Sequence, residues 1–139
     1  MGKISNATVR MVEDLQLVGY ADSGHAIVID ASPEKKASGP MELVLIALGS
    51  CTAMDIIAIL KKKRQDLRGL EVNVSGERAE TDPKVYTHLK LHYKLTGRGL
   101  SQEAVKKTIE LSQEKYCSVL GMLSKVATVE YDSEIIEAD

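Results

Sequence analysis

Phenylalanine and tryptophan are both missing from the sequence, and aromatic residues make up only 4% of it. Domains that read single strands stack bases on aromatic rings, so this chain has no platform for that work. Excess positive charge is missing too. Lys and Arg number 18 against 20 Asp and Glu, for a formal net charge of -2, and no basic face is visible, so no nucleic-acid partner is expected. Only two cysteines occur, Cys51 and Cys117, too far apart for a CxxC redox motif or a four-thiolate metal site within one chain. Gly97-Arg-Gly99 precedes a predicted helix but lacks the Lys and Ser/Thr of a phosphate loop. Met1 to Arg10 holds no apolar run of the secretory kind, which predicts a cytoplasmic protein.

What is present is one conspicuous apolar stretch, from Gly39-Pro40-Met41 through Cys51 and Asp55 to Leu60, followed by Lys61-Lys-Lys-Arg64. Pro40 suits a first helical position because its missing N–H would be unpaired there anyway, and the cationic cluster suits a helix C-terminus. A long helix follows, apolar at nearly every position, which should be enclosed on most sides. Leu43 to Leu60 approaches the length at which a membrane span is considered. Asp55, with Gly49, Ser50 and Thr52 nearby, favours a buried core helix over a span, and no membrane partner is expected.

Around that helix the chain, 139 residues and so the size of a single domain spanning 1–139, reads largely as strands. Ala7 to Val12, Leu15 to Tyr20 and His25 to Ala31 are predicted strands; the continuous run Ala26-Ile-Val-Ile29 suggests cover on both faces. Residues 32–39 read as a surface loop. After Arg64, Leu70 to Val74 and Val85 to Leu95 alternate with period two, a pair of antiparallel strands joined near Asp82-Pro83. The other face of the second strand, Tyr86, His88, Lys90, His92 and Lys94, should meet water. His88 and His92 are spaced like a helical metal pair, but on a strand they stand about 13 Å apart, beyond the reach of one ion, and no metal site is expected.

Ser101 is a good N-cap for a second helix carrying Val105, Thr108, Ile109, Ser112 and Tyr116 on or beside one stripe. Ser118 to Val126 reads as a short helix, Thr128 to Tyr131 as a last strand, and Glu134 to Asp139 as a solvated acidic tail. The order β-β-β-α-β-β-α-α-β is not the strict alternation of a doubly wound sheet and points to an α+β fold.

Both cysteines lie in or beside helices. Each can be a small buried hydrophobe, and a structural disulfide is disfavoured in a reducing compartment. Cys51 stands out because Asp55, four residues on, shares its helix face. A bare carboxylate raises a thiol pKa, so Asp55 assists only where a cation completes the network. Cys117, placed to open the short helix beside Lys115, should have its thiolate favoured by unpaired backbone N–H groups.

Gly39-Pro-Met-Glu-Leu-Val-Leu-Ile-Ala-Leu-Gly-Ser-Cys51-Thr-Ala-Met-Asp55, taken with Glu114-Lys-Tyr-Cys117-Ser-Val and the strands-first order, resembles the OsmC/Ohr family, in its YhfA-like branch. The resemblance covers essentially the whole chain. It implies antiparallel sheets packed around a long central helix in an intertwined homodimer, and thiol-dependent reduction of organic hydroperoxides without metal or organic cofactor. By position it makes Cys51 the peroxidatic thiol and Cys117 its resolving partner, the disulfide then being reduced by an external dithiol.

The family's peroxidases place a Glu ten residues before the first Cys and hold an Arg against it. Here that position is Met41, and Glu42 falls about 180° around the helix from Cys51. No Arg matches the early loop, where His25 is the nearest cation. Asp55 and His25 are therefore the expected substitutes. The missing Glu and Arg also leave open a binding protein on the same fold, holding a small hydrophobic or electrophilic ligand. A purely structural domain would seal both thiols in apolar packing.

Overall fold

In a computed structural model, residues 2–139 are described, and the chain forms two compact units, one up to Val44 and one from Leu45 to Asp139. The first holds three antiparallel strands in sequential order: β1 (Ala7–Glu13), β2 (Gln16–Ala21) and β3 (Ala26–Asp30). Asp14 turns β1 into β2 at a φ of 51°, a left-handed conformation that Asp tolerates better than most residues. Gly24, at 82°, serves the second turn.

The loop after β3 hangs on one side chain. Asp30 is fully buried, and its carboxylate accepts the N–H of Ser32 at 2.8 Å, that of Lys36 at 3.0 Å and the Gln16 amide at 3.3 Å. The hydrogen bonds from Ser32 and from the Lys36 amide hold this carboxyl well below the usual range. Ala26, Ile27 and Val28 of β3 are exposed within the chain, so the both-faces cover expected of that run is not supplied by it.

Helix α1 (Pro40–Lys62) opens on half of a capping box, since the Glu42 carboxylate accepts the Gly39 N–H at 3.0 Å and pairs with Lys35 at the same distance. Its buried positions, Leu48, Thr52, Ile56 and Leu60 with Gly49, recur every four residues and form a stripe. Ile46, Met54 and Ile57 are exposed within the chain, which corrects the expectation of enclosure on most sides. The helix is long and apolar enough to cross a membrane by composition, with a mean hydropathy of 2.3 over its best window, yet its stripe packs into the core of the second unit.

That second unit is a three-stranded sheet, β4 (Asp66–Arg78), β5 (Tyr86–Arg98) and β6 (Thr128–Glu137), with α2 (Gln102–Leu111), a π-helical turn (Ser112–Tyr116) and α3 (Ser118–Leu123) between β5 and β6. β4 and β5 are antiparallel, and β5 and β6 are parallel. The expected α+β fold is therefore present, with one correction: the helical crossover returns the chain in the same direction, so this sheet is mixed. Leu89, Leu91, Tyr93 and Leu95 of β5 are buried with Leu48, Ile56 and Leu60 of α1 and Val105 and Ile109 of α2. Gly49 lets helix and sheet approach, because a Cβ there would stand 3.1 Å from Val74 Cγ2.

Two further sequence expectations change. A β-bulge at Glu77/Arg78 pairs Arg78 with Tyr86 and Glu77 with His88, which inverts the alternation at that end of β5. Tyr86 is consequently buried and Val85 exposed. The acidic end is not a tail up to Glu137. It continues β6, where Glu130, Asp132 and Glu134 stand opposite Lys90, His92 and Lys94.

Candidate active site

Cys51 and Asp55 both belong to α1, one turn apart, and the second cysteine comes to them through the π turn. Ser101 starts α2 as predicted, its side chain accepting the Ala104 N–H at 3.2 Å. The helix then widens: the Cys117 N–H donates to the Ser112 carbonyl at 2.9 Å, five residues back. The extra residue rotates Tyr116 off the apolar stripe and leaves it exposed, while Ser112 and Cys117 are both buried. Cys117 then caps α3, its sulfur accepting the Leu120 N–H at 3.4 Å.

Cys51 and Cys117 are both free thiols, and Cys51 is near enough to Cys117 to raise its pKa. Their settings differ. Cys51 is half-buried, whereas Cys117 is only 5% exposed. Burial pushes the Cys117 thiol up to about 11, the Leu120 N–H opposes this, and Cys51 and the Asp55 charge add to it. The backbone N–H expected to favour the Cys117 thiolate is in place and does so, but burial outweighs it and the net shift is upward. Lys115, the expected nearby charge, sits over the Tyr116 ring at 5.3 Å.

Behind the thiols lies a polar chain that sequence reasoning missed. Ser112 Oγ donates to Asp55 Oδ2 at 2.9 Å, and Thr52 Oγ1 lies 2.7 Å from Ser112 Oγ and 2.8 Å from the Tyr93 hydroxyl. Gln113 Nε2 donates to that same hydroxyl at 2.7 Å. Counting hydrogens fixes the direction of every bond. Ser112 has one hydroxyl hydrogen and gives it to Asp55, so Thr52 must donate to Ser112, and Tyr93 must then donate to Thr52. The chain runs Gln113, Tyr93, Thr52, Ser112, Asp55, with all its hydrogens pointed at the carboxylate. Thr52, Ser112 and Tyr93 are fully buried, and burial raises the Tyr93 phenol above its ordinary value. Among the described residues no buried side-chain polar atom lacks a partner.

The only signal in sequence was periodicity: Thr52 and Ser112 fall on the buried stripes of their helices, where a hydroxyl needs a partner. Asp55 is joined here to a serine, and among the described residues it forms no ion pair. His25 is exposed in the first unit, immediately before β3. Glu42, the carboxylate nearest in sequence to the position where the peroxidases keep theirs, is taken up by the start of α1. His88 and His92 lie on the outer face of β5, where His92 Nδ1 bonds Asp132 and His88 faces Glu77 at 3.9 Å.

Residues 33–132 match the model of the OsmC-like protein family. The chain is 44% identical to protein YhfA of Escherichia coli strain K12 over 132 residues, 95% of this chain and 98% of that one. It is also similar to the crystal structure of a hypothetical protein from Aquifex aeolicus, with a TM-score of 0.90 and 28% identity over 99% of this chain and the whole of that chain. An organic hydroperoxide resistance protein from Elizabethkingia anophelis shares the fold at a TM-score of 0.74, with 12% identity over 98% of this chain and 99% of that chain.

Proposed function

The chain belongs to the OsmC-like protein family, and from that membership together with its paired thiols we propose that it reduces organic hydroperoxides with Cys51 as nucleophile and Cys117 as resolving thiol. The observation that carries this reading is the pairing itself: two free thiols, one half-buried and one sealed, near enough that Cys51 raises the pKa of Cys117. The Cys51 thiolate attacks the distal peroxide oxygen, the O–O bond breaks, and the alkoxide leaves as an alcohol after taking a proton. Cys51 is then a sulfenic acid. The Cys117 sulfur attacks the Cys51 sulfur, the S–O bond breaks, and hydroxide leaves as water. An external dithiol reduces the disulfide and restores both thiols, so the sum is hydroperoxide plus dithiol giving alcohol, water and disulfide. The sulfurs carry every step, and no metal or organic cofactor enters. A cytoplasmic setting would supply the reductant, and a homodimer would cover the exposed apolar face of α1.

The test is consumption of an organic hydroperoxide in the presence of a dithiol, expected for the native chain and lost in Cys51→Ser. Undiminished turnover in that variant overturns the reading. A second reading rests on a shallow groove of ≈ 350 Å³ on the second unit, lined by Leu45, Ile46, Ala53, Leu70, Val72 and Val74. It suits a small hydrophobic ligand. Saturable binding of a fluorescent fatty acid, with no peroxide consumed, would favour that use.

A further inference from the structure

The two sulfurs belong to different elements, Cys51 to α1 and Cys117 to the junction of the π turn with α3, so their meeting depends on what holds the turn against the helix. Apolar burial has no direction, whereas hydrogen bonds do. Here they converge on one residue. Ser112, the first residue of the π turn, joins the turn to α1 through two side-chain bonds at once, accepting from Thr52 at 2.7 Å and donating to Asp55 at 2.9 Å. Thr52 and Asp55 stand one and four residues beyond Cys51, within about one turn of the same helix.

The backbone of the same residue holds the second cysteine. The Ser112 carbonyl accepts the Cys117 N–H at 2.9 Å, the bond that makes the turn π-helical. A single short residue therefore links the backbone of Cys117 to the turn of helix that carries Cys51. Gln113 adds a tie to the Tyr93 hydroxyl at 2.7 Å, which fastens the π turn to β5. Ser112 is fully buried and commits its one hydroxyl hydrogen and an acceptor lone pair to α1, so the turn cannot slide along the helix without stranding both.

We propose that Ser112 is a positioning residue for the thiol pair: by tying the π turn to α1 beside Cys51 it fixes where Cys117 stands, and so raises the effective concentration of one thiol at the other. The proposal rests on the two-cysteine reading and adds what aligns the two sulfurs. Ser112 acts through the Cys117 backbone, and it supplies alignment, the part of a reaction between tethered groups that orientation controls. A hydroxyl that only satisfied the interior would contribute to folding and leave the thiol pair as it was.

The equilibrium of the folded chain with glutathione separates these roles. On closure the two protein S–H bonds and the glutathione S–S bond break, one bond forms between the Cys51 and Cys117 sulfurs, and two glutathione thiols leave carrying the two protons. Acid quenching, alkylation and the mass of the intact chain give the fraction closed, and an equilibrium does not depend on how readily either thiol is reached. Expected for Ser112→Ala is a closure constant about tenfold below the native one, the size of one to two ordinary hydrogen bonds. Gly76→Ala, whose added Cβ would stand 2.6 Å from the Tyr86 ring, is the comparison: it should lower the urea midpoint and leave the closure constant unchanged. Thr52→Val, which removes one of the two ties, should lower the constant about threefold, and Thr52→Ser, which keeps the hydroxyl, should restore it.

A closure constant in Ser112→Ala within about twofold of native overturns the proposal, and so does a shift toward the disulfide, which would mean that the bonds hold the thiols apart. Should Ser112→Ala not fold, equal constants in Thr52→Val and Thr52→Ser overturn it. A native chain that forms only mixed disulfides with glutathione does so too. Failure of a hydroperoxide to oxidise Cys51 would defeat the peroxidase reading alone, because closure is measured without peroxide and would still decide the role of Ser112.

Discussion

Replacing Thr52 by valine keeps the shape of the side chain and deletes the hydroxyl at the centre of the buried chain. Two bonds go: the Tyr93 hydroxyl loses its acceptor, and Ser112 loses its incoming donor. Tyr93 is fully buried, so stranding its donor costs about 1–3 kcal/mol, and the second bond adds ~1 kcal/mol; the expected sum is about 2–4 kcal/mol. Tyr93→Phe removes the other end of the first bond. It should cost about 1 kcal/mol, because Thr52 still donates to Ser112 and Gln113 is only half-buried. The double variant strands nothing along that bond, so it should be more stable than the sum of the two single losses by about 1 kcal/mol or more. Urea unfolding of all four proteins at one protein concentration measures this. Thr52→Ser, which keeps the hydroxyl, should lose only about the ~0.8 kcal/mol of a buried methyl group. Additivity within about 0.5 kcal/mol would refute the reasoning, since it would mean that the Thr52–Tyr93 bond contributes no coupling. Thr52→Ser as harmful as Thr52→Val would refute it as well.

A homodimer should appear in light scattering at about 30 kDa, twice the 15.2 kDa chain, and charge substitutions at the exposed Met54 and Ile57 should return it to one chain. His92 is raised by its bond to Asp132, and Asp132 is lowered by the same bond. The histidine contribution is full below its ordinary value near 6.5 and fades as pH climbs through the raised one; the aspartate contribution holds above 3.8 and fades as pH falls through the lowered one. His92→Gln should therefore lower the urea midpoint at pH 5.5 and leave it unchanged at pH 9; equal losses at both would exclude the ion pair as the cause. In β4, an alanine Cβ at Gly76 would stand 2.6 Å from two carbons of the buried Tyr86 ring, so Gly76→Ala should destabilise by about 1–3 kcal/mol in the same assay.

Much of the architecture was legible because it depends on local pattern. Pro40 and the run of lysines bracket α1, the period-two alternation marks β4 and β5, and Ser101 caps α2. The misses share a cause in non-local pairing. A bulge in β5, where Thr87 is the extra residue facing Glu77 and Arg78, turned Tyr86 inward, and the period-two pattern of residues 85–95 does not show where pairing with β4 slips by one. The last strand was cut short because Glu130, Asp132 and Glu134 read as solvated charge until the basic row of β5 lies beside them. Parallel pairing of β5 with β6 was likewise invisible, since it depends on how a crossover docks.

At the site the division is similar. The residues 51 and 55 share a helix face by the geometry of 3.6 residues per turn, and the sequence by itself determined that a thiol and a carboxylate would meet there. It also determined that Cys117 would open α3. Only the tertiary structure decided that Cys117 is sealed and its thiol neutral, because burial depends on what packs over a residue. And only the tertiary structure decided the partner of Asp55: a hydroxyl bond a few ångströms long joins helix to π turn across more than fifty residues of chain, a closeness that no spacing in the sequence encodes.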